Sequence, residues 1–342
     1  MKVAVYYSND DIRMEDRQKP AISSGEILIE MKASGICGTD VMQWYRIKKS
    51  PRVLGHEMAG VVAAVGSGVK DFKKGDRVFV SHHVPCYNCS HCASGNYTAC
   101  ESLHSGNYDP GGFSEFIRVP EQNVRHGTLL LPETVSFEEA TMIEPLGCAV
   151  AAQKQAGLSK GQSVLIIGSG ISGLLHIQMA KIKGATVIAT DINEYRLRKA
   201  AEFGADLVIN ADSYSAEKLK RANNNRLADI VIVCAAANKA VSDAISSVDR
   251  KGTILFFAVP ETDMTFPSVQ FWRDEITVMF SYGAAPEDLY EALGLIKGGN
   301  VDMSKMITHK LPLSDIQQGF RLVSDAGSSL KAVLVPDTAV RA

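Results

Sequence analysis

The stretch "SVLIIGSGISGLLHIQMAKIKGATVIATD", residues 163–191, constrains the fold of this chain more than any other. An apolar run leads into Gly168, Gly170 and Gly173, spaced G-x-G-x-x-G. A helix-length segment and a second apolar run follow, and the stretch closes on Asp191. Strand, glycine turn, helix, strand and acid in that order describe a dinucleotide-binding βαβ unit. Gly168 permits the tight turn, Gly170 lets backbone approach a pyrophosphate, and Gly173 lets helix and strand pack closely. Ile171 and Ser172 open the helix, whose N-terminus attracts phosphate charge. Asp191 is placed to accept hydrogen bonds from the adenosine ribose hydroxyls and to repel a 2′-phosphate, which favours NAD over NADP. Arg196 and Arg198 lie close behind and pull the other way, since an arginine accepts a phosphate.

The texture on either side divides the chain. From about residue 146, apolar runs such as "TVIAT", "DIVIVCAA" and "GTILFFAV" alternate with helix-sized segments, the pattern of a doubly wound parallel sheet. Residues 1–145 instead carry short Val- and Ile-rich runs between glycines, which predicts a small β-barrel or sandwich. The expected domains are 1–145 with 286–342, the final strand "KAVLVP" returning to the first, and 146–285 for the nucleotide. Net charge is −2 without a basic run, which disfavours nucleic acid and membrane surfaces as partners. No apolar run approaches the ~20 residues of a membrane span, and a cytoplasmic protein is expected.

Four of the seven cysteines lie in "CYNCSHCASGNYTAC": Cys86, Cys89, Cys92 and Cys100. Two-residue spacers aim successive thiolates at one centre and the longer spacer completes a tetrahedron. Four sulfurs leave no open position, which describes a structural zinc. An iron–sulfur cluster also takes four thiolates, but with different spacing, and plain thiols are the bland alternative. His91, inside the loop, reads as a solvated residue.

Cys37 and His56 stand in two glycine-bracketed turns of "GICGTDVMQWYRIKKSPRVLGHEMAG", with Glu57 next to the histidine. Both are suitable ligands for a catalytic zinc, which takes about three protein ligands and keeps one position open. Taken alone, they also read as a core thiol and a satisfied histidine.

The whole chain resembles the zinc-dependent medium-chain dehydrogenases/reductases, which include alcohol, sorbitol and threonine dehydrogenases. "CGTD", "GHEMAGVV", "GDRV", the four-cysteine lobe, "IEPLGCAV" and "GSGISG…TD" occur in that family's order. The resemblance implies a GroES-like barrel domain with the catalytic zinc and a Rossmann domain with the cofactor, two zinc ions per subunit, and a homotetramer or, alternatively, a dimer. It implies Cys37, His56 and Glu144 as catalytic zinc ligands, with Glu57 able to approach the metal. Asp40 matches the carboxylate that orients the ligand histidine, and Thr39 is placed to bond the substrate oxygen. Cys148 is a soft-ligand rival to Glu144, whose place in "EPLG" matches better.

The implied reaction moves hydride from a secondary alcohol, a polyol or sugar, to NAD, with zinc acidifying the hydroxyl and the proton leaving through Thr39. Met42 stands where several relatives relay that proton by histidine. Gln43 and Ser281 replace two polyol contacts of sorbitol dehydrogenases. Trp44, Tyr45 and Arg46, in an unusually short connection, either wall the pocket or pack on the barrel. Threonine or another amino alcohol is the alternative substrate, and a non-catalytic zinc- and nucleotide-binding sensor the alternative class.

Overall fold

The computed structural model describes residues 1–259 and 262–340. The chain divides into two compact units, residues 1–147 with 283–342, and residues 148–282.

The first unit is built of short antiparallel strands. β1 (Lys2–Ser8) pairs β2 (Asp11–Asp16) on one side and β4 (Arg52–Val53) on the other. β3 (Ile27–Gly35) is the hub of a second sheet. It pairs β5 (Glu57–Val65), which continues to β6 (Arg77–Ser81) and β8 (Thr128–Leu130), and it also pairs β7 (Phe116–Val119). Alternation in these strands sends Ile27, Ile29 and Met31 into a core shared with Val5, Met58, Val78, Val80 and Ile117.

The second unit holds six parallel strands: β9 (Ser163–Ile167), β10 (Thr186–Asp191), β11 (Leu207–Asn210), β12 (Ala228–Val233), β13 (Val248–Phe256) and β14 (Thr277–Phe280). Their spatial order, β11-β10-β9-β12-β13-β14, runs outward both ways from β9, the two-halved order of a doubly wound dinucleotide fold. β9 is buried at every position, as expected for a central parallel strand covered on both faces.

The chain then returns to the first unit. β15 (Ile307–Pro312) pairs β16 (Lys331–Val335), and β16 closes antiparallel onto β3 through Val333–Gly35 and Leu334–Ser34. Because β3 also pairs β5, the end of β3 is held between the start of β5 and β16. The functional side chains of this unit gather there.

Candidate active site and metal centres

Strand register explains why two turns far apart in sequence share a site. Gly35, the last residue of β3, pairs with Glu57, the first of β5. Cys37 lies just past one strand end and His56 just before the other, so the pairing sets them side by side. Gly55, at φ 91°, makes the approach to His56 possible: a Cβ there would lie 2.7 Å from the Phe113 ring and 2.8 Å from its backbone nitrogen. Ligand atoms of Cys37, His56 and Glu57 all fall within 4.8 Å of one another.

The surroundings favour a cation. Asp40 is fully buried; one oxygen lies 3.4 Å from His56 Nδ1 and the other accepts the Cys37 amide at 3.1 Å. Burial pushes the Asp40 carboxyl up, but His56, Arg46 and the Cys37 amide outweigh it and hold the group below its ordinary range. Burial likewise disfavours a charged His56, yet Asp40 and Cys37 outweigh it and raise that imidazole well above its usual value. A field that favours a proton on this imidazole also favours a metal cation in its place. The Cys37 sulfur accepts from Thr39 N at 3.4 Å and Thr39 Oγ1 at 3.3 Å. Arg46 secures the turn, donating to Thr39 Oγ1 at 3.0 Å and to the Thr39 carbonyl at 2.9 Å.

Glu57 is fully buried. One oxygen pairs with Lys331 from β16, itself 1% exposed, while Oε1 has no hydrogen-bond partner. Burial pushes Lys331 down, and Glu57 and Cys37 more than compensate, so the ammonium stays charged. Cysteine, imidazole and a carboxylate with an unused buried oxygen form a donor set that fits zinc. Glu144, in the first turn of helix Ile143–Gln155, lies outside this three-residue cluster, although its charge reaches Lys331 and Tyr108.

Sequence reasoning assigned no role to His82, His83, Tyr108 or Lys331. The His82 ring stands 5.0 Å from that of His56 and 3.7 Å from that of His83. Burial drives His82 well below its usual value and His83 to about 3, so both are neutral beside the cluster. His82 Nδ1 and the buried Tyr108 hydroxyl have no hydrogen-bond partner. The only advance sign was a histidine doublet directly after a strand.

The lobe at residues 86–100 gathers four more of the seven thiols. Cys89 and Cys92 sulfurs are 3.5 Å apart and Cys86 and Cys92 sulfurs 3.9 Å apart. Tetrahedral zinc with ligands at about 2.3 Å needs sulfurs about 3.8 Å apart, so the spacing fits. Cys92 and Cys100 are buried, and all four are free thiols. Burial raises the Cys100 thiol, but amides of Cys86, Leu103 and Ser102 bring it down to about 6. His91 is exposed and outside the set.

In the second unit the glycine turn joins β9 to helix Ile171–Ile182, with Gly170 as its cap residue and Ile171 and Ser172 in its first turn. A Cβ on Gly173 would strike the Gly168 carbonyl oxygen, so only glycine lets this helix start so near the strand. Asp191, at the end of β10, accepts from the Ser169 amide at 2.7 Å and the Asn193 amide at 2.9 Å. The acid therefore fixes the turn. The Arg196 guanidinium lies 3.7 Å from where a Gly170 Cβ would be, and its Nε is buried without a partner. An idle donor against a glycine turn suits a phosphate.

Two segments of the chain match known protein families. Residues 23–133 match the alcohol dehydrogenase GroES-like domain and residues 172–298 the zinc-binding dehydrogenase domain. The chain belongs to the zinc-dependent medium-chain alcohol dehydrogenases, and the fold is a GroES-like domain with a Rossmann domain. It is an oxidoreductase of CH–OH groups that uses zinc and a nicotinamide cofactor. It is 33% identical to a probable D-xylulose reductase A of Aspergillus fumigatus, over 94% of this chain and 93% of that one. It is 32% identical to a sorbitol dehydrogenase of Bacillus subtilis, over 98% of each. The 2R,3R-butanediol dehydrogenase structure from Bacillus subtilis superposes with a TM-score of 0.87 at 26% identity, covering 98% of this chain and 99% of that one.

Proposed function

We propose that this chain oxidises a secondary hydroxyl of a polyol or sugar, and reduces the corresponding ketone, with NAD as its partner. The observation that carries the reading is the Cys37/His56/Glu57 cluster with the idle Oε1 of Glu57. The relatives described above are named for a pentulose, a hexitol and a diol, which supports a polyhydroxy substrate. Cys37, His56 and a carboxylate, Glu57 or Glu144, would hold the catalytic zinc, and Cys86, Cys89, Cys92 and Cys100 a structural one. Bound zinc supplies Lewis acidity toward a hydroxyl, and bound nicotinamide supplies the hydride acceptor.

The protein's own residues do the rest. Asp40 fixes the orientation of His56, and Lys331 keeps one oxygen of Glu57 occupied. Arg46 donates to Thr39 Oγ1, so the Thr39 proton points away, toward the Cys37 sulfur or a substrate oxygen. Thr39 is thus positioned to take up and pass on the alcohol proton. Gly168, Gly170, Ile171, Ser172 and Gly173 would cradle the pyrophosphate. Asp191 would take the ribose hydroxyls and favour NAD, and Arg196 would face the phosphates. Among the described residues no helix is long and apolar enough to cross a membrane; a cytoplasmic location is part of the proposal. Phe280, 56% exposed on edge strand β14, supports assembly into a homotetramer or dimer.

Metal analysis and NAD reduction test this reading together. About two zinc ions per chain are expected, with turnover on at least one member of a panel of polyols, cyclitols, aldoses and threonine. Less than one zinc, or zinc without turnover on any of them, would overturn it. Turnover confined to threonine would move the substrate to the amino alcohols.

A further inference from the structure

Residues 42–53, the short connection between the two ligand-bearing turns, carry Arg46, Lys48, Lys49 and Arg52 and no carboxylate, in a chain whose net charge is −2. Arg46 turns inward, bonding Thr39 and lying 3.4 Å from Asp40. Lys48 sits 6.0 Å from the Trp44 ring centre. Among the described residues no ion pair or side-chain hydrogen bond engages Lys48, Lys49 or Arg52. The acid within reach of Arg52, Asp40, is already shared by His56 and Arg46.

Tyr45, Arg46, Lys49 and Arg52 line a cavity of about 20 Å³, room for about one water. Tyr45 is 43% exposed and Lys49 is exposed, so two of its walls are side chains that border solvent, with the Tyr45 ring centre 5.0 Å from the Arg46 guanidinium. Burial and the neighbouring Arg46 charge both disfavour a charged Arg52. Crowding guanidinium and ammonium groups around a hollow costs stability unless an anion completes it. Two arginines, one lysine and a phenol are donors whose geometry suits an oxyanion. The cavity is also tied to the reaction centre: the guanidinium that forms one wall bonds Thr39 Oγ1, which bonds the Cys37 sulfur.

We propose that this basic cavity receives a terminal oxyanion of the substrate, a phosphate monoester or a carboxylate, so that the alcohol oxidised is an anionic polyol rather than a neutral one. This rests on the polyol reading above and narrows it. Lys49 and Arg52 would bind the anion directly, and Arg46 would hold both the anion and Thr39.

The test compares kcat/KM for matched substrates on the zinc-loaded enzyme: a polyol, its terminal phosphate and the corresponding aldonate. The expected result is a preference of at least about tenfold for one of the two anions over the neutral polyol, expressed in KM. Which anion is preferred identifies the source of the charge. Arg52→Gln and Lys49→Gln should each remove most of that preference, and Arg52→Lys should restore part of it. Inorganic phosphate should inhibit oxidation competitively, and calorimetry should show it binding at least about tenfold more weakly to the Lys49→Gln/Arg52→Gln protein. Equal or better turnover of the neutral polyol overturns the inference and leaves the polyol reading standing. If neither kind of substrate turns over, it is the polyol reading that fails. The calorimetry then decides the cavity alone, and phosphate binding unchanged by the two substitutions overturns it.

Discussion

Lys331→Met tests the arrangement around Glu57 most directly. Both members of this ion pair are inaccessible, Glu57 at 0% and Lys331 at 1% of the side chain. Methionine keeps the length and apolar stem of lysine and removes only the cation. Glu57 is then left charged in a place where its other oxygen already has no partner. Removing one partner of a buried pair costs about 3–5 kcal/mol. For a unit of this size each kcal/mol moves the midpoint by roughly 2–4 °C, so its transition should fall by roughly 6–20 °C. Adding Glu57→Gln should recover more than half of the loss, because a neutral amide strands no charge. Calorimetry gives the shift, and hydrogen exchange at the amides of β3 and β5 assigns it to the first unit. With zinc bound the loss should be smaller, since the freed carboxylate can turn to the metal. A drop under about 2 °C with and without zinc would refute the reasoning.

Other substitutions address the remaining parts. Cys100→Ser should lower the metal content from about two zinc ions per chain to about one, read by elemental analysis, and unchanged content would remove the lobe's assignment. Asp40→Asn keeps the shape and discards the charge, so zinc affinity at the Cys37/His56 site should fall about 10–100-fold in chelator competition. Gly173→Ala drives a methyl into the Gly168 carbonyl, costing roughly 1–3 kcal/mol of stability in the nucleotide unit. NADH titration of that variant by fluorescence should show at least a tenfold loss of affinity, and an unchanged Kd would refute the close-approach argument.

What the sequence disclosed depended on how local each signal was. The nucleotide turn is a contiguous pattern in which every residue acts on near neighbours, so its glycines and Asp191 could be named in advance. The four-cysteine lobe is equally local. Cys37 and His56 were visible as residue types in glycine turns. What joins them is the pairing of Gly35 with Glu57, a register that no short stretch encodes. Lys331 was invisible because it meets Glu57 across 274 positions. His82 and His83 were passed over because a histidine's charge state follows from burial, which the sequence does not display. The connection after "CGTD" splits the two readings given it: Arg46 reaches into the site, while Trp44 and Tyr45 remain 36% and 43% exposed. Glu144 was placed by resemblance alone, and the structure gathers Glu57 rather than Glu144 with Cys37 and His56.

The return of β16 onto β3 has a consequence for how the molecule is made. A ribosome delivers Glu57, β3 and β5 early, but Lys331 and the strand that closes on Gly35 emerge only after the whole nucleotide unit. Until then the growing chain holds a half-built first unit with an open edge on β3 and a carboxylate that cannot be buried without its counter-charge. Residues 148–282 form a compact unit of their own, and domains generally fold as units during synthesis. The Cys37/His56/Glu57 cluster is therefore among the last features to be completed, and chains released before Lys331 would carry a folded second unit and a cluster without its buried ammonium.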